Sequence, residues 1–167
     1  MIHALPPPIV AEVAQLPPLR FLGFRAGMAL AEVHSLVRGS GGRLGCRATS
    51  DPRMRECNGS FDLGEGPVRL HVSVLVSAVH DSAAVIVLST HPSESALEGW
   101  VAGLTADLGT PNVRHGPGME ASWEWIRQSR KLVISERKEN DRLTGSVTFT
   151  DGPLLDGLGP PKRKGPD

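Results

Sequence analysis

Cys46 and Cys57 are the only cysteines in the chain, and the first chemistry their spacing suggests is a disulfide. They sit symmetrically about a turn signal, Ser50-Asp51-Pro52-Arg53. A fold-back there sets Cys46 opposite Cys57 and Arg47 near Glu56. Directly opposed residues of an antiparallel pair hold their Cβ atoms ~4.5–5.5 Å apart, near the reach of a disulfide. The pattern predicts a stapled hairpin. A staple in turn predicts export to an oxidising compartment, periplasmic or extracellular, whereas reduced thiols would go with a cytoplasmic address.

Other reactive side chains do not converge. Nucleophilic catalysis needs a base within hydrogen-bond reach and a third group to orient it. The histidines are His3, His34, His71, His80, His91 and His115. None lies in a nucleophile-elbow or HExxH-like context. His80, with Asp81 beside it, and His91 flank an apolar run, at least ~25 Å apart on an extended strand. One shared metal site is therefore not expected. His71 falls on the solvent side of a strand pattern.

Asp62 and Glu65 lie in Phe61-Asp62-Leu63-Gly64-Glu65-Gly66-Pro67. Calcium wants about six or more oxygens in a defined loop, so this pair reads as a hairpin connection. Glu136 and Glu139, interleaved with Arg137 and Lys138, read as a solvated hairpin end. Gly39-Ser40-Gly41-Gly42-Arg43-Leu44-Gly45 lacks the Gly-Lys-Ser/Thr end of a phosphate loop and follows a helix rather than opening one. The sequence thus points to no catalytic residue, no metal and no cofactor.

Trp123-Glu124-Trp125 is the one candidate for partner binding. Strand alternation puts both indoles on one face. On a helix-packed face they are core. On an open face they form an exposed aromatic pair, a residue type enriched at binding hot spots, with Arg114 and Arg127 at its rim.

The elements that would position these residues follow from hydrophobic period. Residues 28–38 read as a first helix through Ala31, Val33, Leu36 and Val37, with Gly39 as its left-handed cap. Ser95-Ala96-Leu97-Glu98 matches a capping box. Leu97, Trp100, Val101, Leu104 and Leu108 then share one helical face, ended by Gly109 and Pro111. Leu70 to Val79 alternates strictly, and Ala83 to Leu88 is a continuous apolar run. Residues 123–126, 132–136 and 143–149 complete the strands, with Asn140-Asp141 turning the last two. Leu143, Val147 and Phe149 share one face, opposite Thr144, Ser146, Thr148 and Thr150.

At 167 residues, 40% hydrophobic with no Tyr, the chain can build a core of Val, Leu, Ile and Ala. Eighteen basic and eighteen acidic residues cancel. Nucleic acid is therefore not the expected partner, since phosphate binding needs a basic excess or stripe. Lys162-Arg163-Lys164 reads as part of a solvated tail. No apolar run reaches the ~20 residues of a membrane span. The first eight residues lack the charged start and apolar stretch of a signal peptide.

Gly27-Met28-Ala29-Leu30-Ala31-Glu32-Val33, followed by a Gly-rich exit, a cysteine and a second cysteine nearby, resembles the opening unit of the β-lactamase inhibitor proteins. It is also similar to the small lipoprotein component of the outer-membrane β-barrel assembly machinery. In those families a Gly-Met-Ser/Thr start precedes a short helix with antiparallel strands beside it. Ala29 stands where they prefer a capping Ser or Thr. The resemblance implies that fold and an envelope setting, and its inhibitor branch implies action on a secreted hydrolase.

The expected fold is α+β, an antiparallel sheet covered by two helices, as a tandem helix-plus-strands layout. Residues 1–22 form a Pro-rich leader, 23–156 one domain with halves 24–90 and 93–156, and 157–167 a floppy tail. The expected function is a non-enzymatic, exported protein-binding or scaffold domain. A hydrolase inhibitor is one alternative. The other is a small-ligand carrier or enzyme with a pocket between helices and sheet.

Overall fold

Period-two alternation turns half of this chain into strands, and their neighbours make them one sheet. The computed structural model describes residues 17–64, 69–117 and 120–159. Residues 1–16 of the expected leader, Glu65 and the basic tail 162–164 lie outside the described residues. The elements run α1 (Leu30–Gly39), β1 (Arg43–Ala48), β2 (Met54–Leu63), β3 (Leu70–Val79), β4 (Ser82–Thr90), α2 (Glu94–Leu108), β5 (Asn112–His115), β6 (Ala121–Arg127), β7 (Arg130–Glu139), β8 (Arg142–Asp151) and α3 (Gly152–Asp156). The strands form a single eight-stranded sheet in the order β1-β2-β3-β4-β8-β7-β6-β5. Every neighbouring pair is antiparallel, so the class is α+β. No helix is long and apolar enough to cross a membrane among the described residues.

One face of the sheet is core. Val72, Val74 and Val76 of β3, Ile86 and Leu88 of β4, and Val147 and Phe149 of β8 are buried together with Leu132 and Ile134 of β7. Val33 and Val37 of α1 and Leu97, Leu104 and Leu108 of α2 join the same cluster. Each such side chain stabilises the fold by roughly 1.5–3 kcal/mol when fully buried. The intervening residues of each strand point the other way and stay accessible.

Three strand connections are tight two-residue turns. His80-Asp81, Gln128-Ser129 and Asn140-Asp141 all have positive φ, between 48° and 65°. That backbone matches the right-handed twist of the strands it joins. None of these six residues is glycine, so each accepts a conformation that L side chains rarely adopt.

Several boundaries differ from the sequence pattern, each for a local reason. The first helix begins at Leu30 rather than Met28, because residues 27–29 pair with the start of β4. Gly27 N–H donates to the Ala83 carbonyl at 2.7 Å, and Ala83 N–H returns to Met28 at 2.8 Å. Ala29 is the N-cap, with no side-chain hydrogen bond. Gly39 belongs to the helix, and the positive φ falls on Gly41 at 77°. The cap of α2 is Ser93, not Ser95, and its side chain accepts from Ala96 N–H at 3.1 Å. Strand β5 and helix α3 carry no strong period and were not expected. Leu19, within the expected leader, is buried in the core.

Candidate functional site

The cysteine hairpin forms in the expected register. Cys46 opposes Cys57 and Arg47 opposes Glu56. The disulfide joins the two cysteines with Cα atoms 4.0 Å apart. Cys57 is buried in the core, while Cys46 is exposed with its Sγ 3.5 Å from His34 Nε2. The turn is locked by Asp51, whose carboxylate accepts from Arg53 N–H at 2.9 Å, Nε at 3.0 Å and Nη2 at 2.8 Å. These bonds, the guanidinium first and the backbone N–H next, lower the Asp51 carboxyl from 3.8 to about 2. The same pairing raises Arg53.

Both indoles sit on the core face. Trp125 opposes Leu132 and Trp123 opposes Ile134, and both partners are fully buried. Trp125 is 2% exposed, and its Nε1–H donates to the Gly109 carbonyl at 2.9 Å. Trp123 packs part-buried against the cluster. The pair is therefore core rather than an exposed aromatic patch. The two arginines are separated by the sheet. Arg127, on the core face, donates through Nη2 to the Leu108 carbonyl at the end of α2. Its Nε is buried without a partner among the described residues. Arg114 lies on the opposite face with its side chain 78% exposed, 3.9 Å from Glu124.

The histidines stay apart from one another in role. His71 Nδ1 lies 3.0 Å from Asp62 on the exposed face. His91 Nδ1 accepts or donates near Thr144 Oγ1 at 3.4 Å and lies 3.2 Å from the Leu143 carbonyl. His80 occupies a tight turn. Among the described residues no three His, Cys, Asp or Glu side chains group to hold a metal ion. Lys138 pairs with Glu94 at the start of α2, which lowers the Glu94 carboxyl and raises the Lys138 ammonium.

What the structure assembles is a face that sequence reading missed. On the side away from the core, Ser60 opposes Ser73, Ser73 opposes Ser89 and Ser89 opposes Ser146. Ser146 in turn opposes Ser135, and Ser135 opposes Ser122. Six strands thus contribute one serine each to a single row. Arg43 opposes Ser60 at one end and Arg114 opposes Ser122 at the other. At ~4.8 Å per strand the row of serines is ~24 Å long, and ~34 Å from arginine to arginine. The neighbouring row carries Asn58, Leu75, Val87, Thr148, Val133 and Glu124 in register. Leu75 of β3 is 55% exposed in this row.

A β-bulge makes this alignment. Ala78 opposes Ala83, yet Ser77 opposes Val85, so Ala84 is the extra residue. Without it the tight turn at 80–81 would set Ser73 against Leu88. The bulge re-aims β4 by one residue, as bulges do, and both alanines are fully buried. Each serine's side was readable from its strand parity. The register between strands far apart in sequence was not.

Comparison with protein-family models, with curated proteins and with solved structures finds no match for this chain.

Proposed function

We propose that this chain is a small non-enzymatic binding or scaffold domain that offers the open face of its sheet to a protein partner outside the cytoplasm. The observation that carries this reading is the face itself. It runs the full width of eight strands, its middle strands carry hydroxyl and short aliphatic side chains with charged residues toward the edges, and Leu75 of β3 is exposed on it. Short side chains lose little rotamer entropy on being covered, and an exposed aliphatic among them is a natural anchor. In this reading α1 and α2 cover the other face, and the two helix-plus-four-strand units are tandem copies. The repeated element order and the shared cluster of helix and strand residues support it. The Cys46–Cys57 disulfide supports an oxidising address. Inhibition of a secreted hydrolase is the special case that the resemblance implies. A carrier or enzyme would need a closed apolar cavity with convergent polar groups. The cleft of about 680 Å³ lined by Phe21, Leu22, Trp100 and Leu104 is open to the surface.

The test is site-specific photo-crosslinking in the native host. A photoreactive residue at Leu75 should yield a discrete protein adduct, and one at the exposed Glu98 of α2 should not. Equal labelling from both positions, or none from Leu75, would sink the proposal.

A further inference from the structure

The serine row is a trough, and its two ends carry the same charge. Serine is the smallest side chain on this face, and larger residues stand on both sides of the row. Leu75, Val87 and Val133 flank it on one side, and His71, Thr144 and Arg137 on the other. The structure shows the resulting concavity over β4, β8, β7 and β6 as a groove of about 660 Å³, with Ser89, Ser146, Ser135 and Ser122 in its lining and Arg114 at its end. On the open face, Ser77 is committed to Glu56 at 3.2 Å. The six hydroxyls of the row have no such partner among the described residues. Arg43 has no ion pair among the described residues, and Arg114 has only the long 3.9 Å contact to Glu124.

We infer that this trough receives an extended segment of the protein partner, laid across the strands, with a carboxylate at each end to meet Arg43 and Arg114. The inference rests on the open-face reading above. Each serine hydroxyl can donate once and accept twice, so it can answer either a backbone N–H or a carbonyl. An extended chain rises ~3.4 Å per residue, so the ~34 Å between the arginines takes about ten residues. Bridging water can absorb the mismatch between that rise and the strand spacing. Charge complementarity therefore sits at the ends of the segment, and the middle is read by backbone. A sugar polymer or an unpaired nucleic-acid strand fits less well. Stacking wants an aromatic platform, and Trp123 and Trp125 face the core.

The test pans a displayed library of random decapeptides against the disulfide-bonded protein and compares three proteins for binding of the enriched sequences. One variant is Ser89→Val with Ser146→Val, which fills the trough with residues that suit strands. The other is Arg43→Gln with Arg114→Gln. The expected result is enrichment of Asp or Glu near both peptide ends, with binding at least tenfold weaker in each variant. Far-ultraviolet circular dichroism and the melting point confirm that both variants fold. No enrichment, or peptides indifferent to both variants, would overturn the inference, as would equal binding of polygalacturonate. If the Leu75 crosslink survives in the filled-trough variant, the open-face reading stands and the trough alone is discarded.

Discussion

The two edges of the sheet are held in opposite ways. At the β1 edge a covalent bond joins Cys46 to Cys57, and the turn between them is tied by Asp51 and Arg53. At the other edge β5 is only four residues long and fully exposed, with no bond of that kind. Its neighbour β6 is fastened to the end of α2 instead, by Trp125 to Gly109 and Arg127 to Leu108. An edge strand has one row of unpaired backbone groups and frays first. One edge resists fraying by restricting the unfolded chain, the other by burying a large indole in the core. The first therefore answers to redox conditions and the second to packing. This matters for the trough, because Arg43 belongs to one edge and Arg114 to the other.

The largest expected effect breaks the second edge. Trp125→Ala removes the indole and its hydrogen bond and should destabilise the protein by about 3–5 kcal/mol. Urea unfolding with the disulfide intact measures this, and a loss below about 1 kcal/mol would show that the core does not hold β6. The next breaks the first edge. Cys46→Ser with Cys57→Ala opens a loop closed across a separation of 11 residues and should cost about 2–3 kcal/mol. Hydrogen exchange should quicken at β1 and β2 amides and leave β5 and β6 unchanged. Uniform quickening would mean that the edges are not independent.

Arg127→Met sharpens the comparison further. It loses the bond to Leu108 but also relieves the buried Nε that has no partner. These opposing terms should leave a net change within about 1 kcal/mol, read from the same urea midpoint. The smallest effect is Asp51→Asn. The folded carboxyl titrates at about 2 rather than 3.8. Its contribution is thus present above pH 3.8 and fades as pH falls toward 2. The wild-type melting point should step down over that interval, and Asp51→Asn should remove that part of the step without changing the neutral-pH fold. The group is half-buried at the surface and solvent-screened, so the step is small. Carboxyl chemical shifts followed by nuclear magnetic resonance locate it directly.

Much of the frame was legible without coordinates because it depends on neighbours in sequence. The hairpin at 46–57 follows from a turn signal and symmetric spacing. The strand at 70–79 follows from strict alternation, and α2 from one apolar helical face ended by Gly109. The errors came where a distant segment decides a local outcome. Met28 looks like the start of a helix, yet it pairs with β4 across more than fifty residues of sequence. The cap of α2 was a local misreading instead: Ser95 and Glu98 fit a capping box, yet Ser93, two residues earlier, is the residue that reaches Ala96 N–H. Strand β5 has too short an alternation to show itself, and only its pairing with β6 makes it a strand.

The indoles mark the boundary. Alternation alone puts Trp123 and Trp125 on one side of a strand, because successive side chains point to opposite faces. Which side is core depends on where α2 packs, and that is a tertiary matter. The serine row shows the same division more fully. Strand parity alone turns Ser73 away from Val72 and Val74, and Ser146 away from Val147. It takes the long-range pairing of the sheet to stand six serines from six strands in one line between two arginines. Local period sets the face of each residue, but register between strands is set by turns, by one bulge at Ala84 and by packing over long range.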